Sequence, residues 1–172
     1  MTKINSILLL AVLFLAACNS RSNEVNTIQQ LANQLRQQKD AKLDTVAAKA
    51  LIEKSLAFAA THAQDTLAPA FLFQAADVSR GIGKFEEAVT LWGRVNAEYA
   101  TYHRAPDALF LQGFTCDKDL GDAKRALAYY QSFADRYRKH PLAADAKISI
   151  QYLESGKTPE ELIKSFEKPS VE

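Results

Sequence analysis

Apolar side chains recur along this chain at helical spacing. Between 123 and 137 they stand at Ala123, Ala126, Leu127, Tyr130, Phe133, Ala134 and Tyr137, the stripe of an amphipathic helix. Phe85, Ala88, Val89, Trp92, Val95 and Tyr99 draw the same stripe earlier in the chain. The two stripes coincide at an offset of 38 residues, and the offset holds without gaps elsewhere. Ala32, Ala70, Ala108 and Ala146 form one column, and Ala50, Ala88 and Ala126 another. Leu51, Val89 and Leu127 form a third, and Leu35, Phe73 and Leu111 a fourth. Self-similarity at such a period signals repeated supersecondary units. No stretch after residue 17 alternates apolar and polar residues over strand length, so an all-α fold is expected.

Punctuation sets the boundaries. Gly81, Gly83 and Gly121 fall between the two helices of a unit, where a chain reversal benefits from positive φ. Pro69, Pro106 and Pro141 fall near helix starts, where a missing N–H costs little. Thr158-Pro159-Glu160-Glu161 has the form of a capping box that opens a last short helix. Gly156-Lys157 echoes Gly83-Lys84, so the chain is expected to end in a truncated unit. The predicted helices lie near 24–38, 44–62, 69–80, 84–101, 105–118, 122–139, 142–154 and 159–167.

Residues 30–167 resemble tetratricopeptide repeats. The resemblance is carried by small residues on the first helix of a unit (Ala75, Gly113), alanine on the second (Ala88, Ala126), and a large aromatic four residues on (Trp92, Tyr130). Small side chains let two antiparallel helices approach closely, and bulky ones fill the space beside them. The chain departs from the usual pattern in its period, 38 against about 34. It also has Gln74 and Gln112 where leucine is usual, and Ala100 and Arg138 where a helix-ending proline is usual. The resemblance implies a short right-handed TPR-like solenoid of antiparallel helix pairs, about 38 residues per unit, with a concave face for a partner protein or peptide segment. The family's groove positions fall on Leu72, Ala76, Ser79 and Arg80, then on Phe110, Phe114, Asp117 and Lys118. Phe110 and Phe114 are one turn apart and share a face. They either anchor a partner's apolar side chain or pack against the neighbouring unit.

The N-terminus carries a different pattern. Lys3 is followed by an apolar run from Ile7 to Leu15 and then by Ala16-Ala17-Cys18, the layout of an export signal. The run is shorter than the roughly 20 residues needed to cross a bilayer. Leu15-Ala16-Ala17-Cys18 resembles the lipobox of bacterial lipoproteins. That resemblance implies lipidation of the Cys18 thiol, cleavage before Cys18, and membrane attachment through the lipid. Asn19 stands where an aspartate would imply inner-membrane retention, so the outer membrane, with the domain facing the periplasm, is expected. The implied parts are a signal peptide (1–17), a lipidated cysteine with a short linker (18–23), a helical domain (24–168) and a tail (169–172). A five-residue linker, if extended, reaches at most roughly 18 Å, which keeps the domain near the membrane.

Charge and cysteine content narrow the function. Only Lys3 among the charged residues precedes Cys18, leaving 20 basic against 20 acidic residues. That balance argues against nucleic-acid binding, which needs clustered cations. With Cys18 committed to lipid, Cys116 has no intramolecular partner; it is read as a small buried apolar group, with a reactive thiol as the alternative. His62, His103 and His140 lack metal-ligand spacing, and no HExxH, CxxC or Gly-x-Ser-x-Gly occurs. Arg80-Gly81-Ile82-Gly83-Lys84 lacks Walker spacing and reads as a turn. Glu86-Glu87 and Glu160-Glu161 suit helix N-termini. No enzyme activity, cofactor or metal is expected. The expected role is an adaptor or scaffold in the cell envelope; the alternative is an accessory component of outer-membrane biogenesis or cell-wall machinery that regulates an enzyme or insertase.

Overall fold

The computed structural model describes the backbone of residues 2–38, 44–156 and 161, with side chains from Ser20 onward. The described residues form seven α-helices and no strand: α1 (Thr2–Gln37), α2 (Thr45–Thr61), α3 (Ala68–Gly81), α4 (Phe85–Glu98), α5 (Ala105–Lys118), α6 (Ala123–Arg136) and α7 (Ala143–Ser155). Two compact units divide the chain, Met1–Ile82 and Gly83–Glu172. In the first, α2 packs on both α1 and α3. In the second, α4, α5, α6 and α7 pack in sequence order.

Local chemistry explains the boundaries of α2. The Asp44 carboxylate accepts bonds from the Val46 and Ala47 amides at 3.1 and 3.0 Å, satisfying donors that a helix start leaves open. The buried face of α2 is Ala47, Ala48, Leu51, Ile52, Ser55, Phe58 and Ala59. Val25, Ile28 and Ala32 are the buried positions among the described side chains of α1. The Phe58 ring meets Phe71 of α3 edge-on at 5.0 Å.

The second unit closes on Val89, Leu109, Cys116, Ala126, Tyr130, Phe133, Ala143 and Ala146. Tyr130 and Phe133 are essentially inaccessible, and burying one such ring contributes about 1.5–3 kcal/mol. Burial pushes the Tyr130 hydroxyl up to about 12. Asp122 caps α6 by accepting the Arg125 amide at 3.0 Å. Pro69 and Pro106 lie in the first turns of α3 and α5. Pro141 instead stands two residues ahead of α7, in the preceding turn.

One turn geometry recurs three times. The amides of His62, Tyr99 and Tyr137 cap α2, α4 and α6 on the carbonyls of Phe58, Val95 and Phe133. Three residues on, the amides of Asp65, Tyr102 and His140 bond back to those capping residues. The amides of Ala68, Ala105 and Ala143 then repeat the step, and each opens the next helix. Equivalent bonds are 37 and then 38 residues apart. Gly83, Gly121 and Gly156 are the only residues described with positive φ, at 78°, 65° and 60°.

One boundary differs from expectation. Residues 19–23, read as a linker, are helical and belong to α1. No glycine or proline occurs before Pro69 to break that helix. The Ser20 hydroxyl donates to Glu24 at 3.0 Å, and Arg21 is held by Asp65 of the α2–α3 turn. The expected helix at 159–167 and its Thr158-Pro159 capping box lie outside the described residues, Glu161 excepted.

Candidate functional site

The residues expected to face a partner are not equally placed. Leu72 is completely buried, as are Ala76 and Ser79; a side chain with no accessible surface has none to offer a partner, so Leu72 is corrected to a core residue. Arg80 is half-buried. Phe110 packs on the core of the second unit, its ring 5.4 Å from Tyr130 and 5.5 Å from Phe133. Its ring stays half-buried on α6, within its own helix pair. Phe114 is half-buried. Asp117 is only 8% exposed and pairs with Lys118 at 2.9 Å. The Lys118 ammonium, half-exposed, lies 5.1 Å from the centre of the Tyr152 ring on α7, within cation–π range. Phe114 and Lys118 of α5 and Arg80 of α3 thus keep accessible surface. The side chain of Cys18 lies outside the described residues; its backbone is part of α1.

The sequence reading missed a set of polar links between α4 and α6, alternate helices of the second unit. Near the start of α6, Arg125 grips both oxygens of Glu86, near the start of α4, at 2.8 and 2.6 Å. Its Nε donates to Asp122 at 2.7 Å. The guanidinium's hydrogen bonds hold Glu86 below the usual carboxylate range; Asp122 is lowered first by the Arg125 backbone amide and then by the guanidinium, whose bonds to both acids raise its own pKa. At the other ends of the same helices, Arg136 donates to Asn96 at 2.9 Å and to the Tyr137 hydroxyl at 3.2 Å. The Asn96 amide in turn donates to the Ala105 carbonyl at 3.0 Å. Start linked to start and end linked to end make α4 and α6 run parallel. Their partners are 39 and 40 residues apart, so the 38-residue offset was the available signal.

Buried polarity explains one departure from the repeat pattern. Gln112 is 5% exposed, and its amide donates to the Val89 carbonyl of α4 at 2.9 Å. It stands where leucine is usual and fastens α5 to α4. A Cβ added at Gly93 of α4 would come within 2.9 Å of the same Gln112 amide.

In the first unit a polar cluster gathers at one end. Arg21 of α1 binds the Asp65 carboxylate through two donors, the second at 3.0 Å. His62 lies 3.3 Å from Glu24, and Asp65 accepts the Leu67 amide at 2.9 Å. The bond from Arg21 is the main cause holding Asp65 below its ordinary pKa. Beside this cluster, a groove of about 420 Å³ is lined by Ser20, Asn23, Glu24, Thr27, Lys54, Ala57 and Thr61.

These carboxylates and guanidinium groups are engaged with one another in structural links. Among the described residues no group of three or more His, Cys, Asp or Glu side chains is placed to hold a metal ion. No helix among them is long and apolar enough to cross a membrane. Cys116 is fully buried, and burial raises its thiol pKa. Among the described residues, Ile148 of α7 and Val46 of α2 are the large apolar side chains left most exposed, at 64% and 78%. No protein-family model matches the chain, and no curated protein sequence matches it.

Proposed function

We propose that this chain is a lipid-anchored, TPR-like scaffold of the bacterial cell envelope that holds a partner protein or peptide segment without acting on it chemically. The observation that carries the reading is the parallel alignment of α4 and α6. Helices one repeat apart are tied at both ends by Arg125–Glu86 and Arg136–Asn96. Stacking of equivalent helices is how helical repeats build an extended binding face. The recurring turn bonds at His62, Tyr99 and Tyr137 support the same repeat. The anchor rests on Leu15-Ala16-Ala17-Cys18 after the apolar run. Several acyl chains, each buried methylene worth about 0.8 kcal/mol, anchor stably where one chain does not. The domain then hangs from a membrane, the outer one by the Asn19 signal, and its partner is membrane-bound or membrane-adjacent.

Two measurements test this. The wild-type chain should partition with membranes and carry the mass of a lipid adduct, whereas Cys18→Ser should lose both; a wild-type chain without the adduct removes the anchor. A photo-crosslinking residue at Phe114 or Lys118 should capture one envelope protein in cells, while the same residue at exposed Lys139 should not. Equal capture at all three positions, or none, counts against the scaffold.

A further inference from the structure

We infer that the lipid does not hang from a loose tether: the α2–α3 turn, His62 to Leu67, rests against the phospholipid headgroups and fixes the first unit on the membrane. This inference rests on lipidation of Cys18. Cys18 lies in α1 three residues before Arg21, about 4.5 Å along the helix axis at 1.5 Å per residue. Arg21 is fastened to Asp65 by two donors, and one turn later Glu24 meets His62. The anchor point and the turn therefore sit at the same end of the first unit, joined by an ion pair whose acidic partner is only 12% exposed. Cleavage before Cys18 leaves α1 beginning within one turn of that clamp. The new end consists of Asn19, Ser20, Ser22 and Asn23 around Arg21, residue types that favour helix starts.

The surface at this end suits a headgroup layer. The groove between α1 and α2 is lined by hydroxyl, amide and carboxylate side chains and the Lys54 amine, with Ala57 and the side-chain stems as its apolar part; the polar tips remain hydrated or bond to phosphate and glycerol oxygens. Gln64, at the tip of the turn, is exposed. The opposite end of α2 is far away: Thr45–Thr61 is 17 residues, about 25 Å of helix.

The test uses the full chain, expressed so that it is lipidated and reconstituted in phosphatidylethanolamine–phosphatidylglycerol vesicles that carry a nickel-chelating lipid. A nitroxide is placed at Gln64→Cys or at Val46→Cys. Cys116 is buried and Cys18 is acylated, so labelling is confined to the new thiol. Relaxation by the lipid-borne nickel should be at least about fivefold stronger at position 64 than at 46, since such dipolar effects fall steeply over ~25 Å. Asp65→Ala in the Gln64→Cys background should shrink that ratio towards one by freeing the turn from α1. Equal relaxation at 64 and 46 in protein bearing the lipid mass overturns the fixed orientation and leaves the anchor standing. Absence of the lipid mass overturns the anchor, and the orientation with it.

Discussion

Gly113 of α5 lies directly under the ring of Tyr130 of α6: a methyl group built on Gly113 would stand 3.0 Å from Tyr130 Cδ1 and 3.3 Å from Tyr129 Cβ. Tyr130 and Tyr129 stand one turn beyond Ala126, and their side chains fill the space that a Gly113 side chain would take. Glycine in a helix costs about 1 kcal/mol relative to alanine, and here it is retained because the ring is essentially inaccessible and has no room to retreat. Gly113→Ala should destabilise the protein by about 1–3 kcal/mol despite its better helix propensity. Chemical denaturation of the variant checks this, and a stabilised variant would show that α5 and α6 can separate freely.

Gln112 offers a test in which charge and shape can be separated. Gln112→Leu loses the bond to the Val89 carbonyl but keeps the volume, so the change should stay within about 1.5 kcal/mol. Gln112→Glu places a buried carboxylate against that carbonyl and should cost roughly 3 kcal/mol at neutral pH. Burial raises the introduced acid's pKa, so its penalty should shrink as the pH falls and the protonated form donates to Val89. Denaturation of both variants at pH 7 and pH 5 gives the comparison; a penalty that grows on acidification would contradict it.

Asp65, Glu86 and Asp122 all have pKa values below their ordinary ones in the folded chain, each chiefly through arginine or the backbone amide of Arg125. A depressed folded pKa contributes stability that is complete above the unfolded values, near 4, and is lost as the pH drops through the folded ones. The melting temperature should therefore fall on acidification below about pH 5. Arg125→Met removes the partner of Glu86 and Asp122, so its pH dependence should be shallower than that of the wild type. Identical pH profiles would show that these exposed pairs contribute nothing measurable.

Cys116 should behave as an inert group while the protein is folded. In the Cys18→Ser chain it is the single thiol, buried and with a raised pKa. Its reaction with an aromatic disulfide reagent should be slower than in denaturant by at least about a hundredfold, because the thiolate forms only when the second unit opens. Reaction at the denatured rate would restore the reading of Cys116 as a reactive thiol.

The helices from α2 to α7 were legible in the sequence because their causes are local. Apolar periodicity and Gly83 and Gly121 at positive φ act within a few residues. The links that align α4 with α6 were not legible. Arg125–Glu86 and Asn96–Arg136 join residues about forty apart, and nothing near each residue names its partner. The candidate binding face was legible only in part. Successive helix positions point about 100° apart, so groove positions carried over from a pattern of about 34 residues exchange core for surface after small rotations. Arg80, Phe114 and Lys118 keep accessible surface, whereas Leu72 is enclosed and Phe110 joins the core. Arg21, within that stretch of α1, pairs with Asp65 more than forty positions away, a link that nothing near either residue announces.

Within each unit, the extensive helix packing joins elements that follow one another directly in the chain. Closing such short connections costs little entropy, and chains dominated by nearby contacts fold quickly. A polypeptide threaded unfolded through a translocon would regain its architecture hairpin by hairpin as it emerged, each new segment finding its neighbour already waiting.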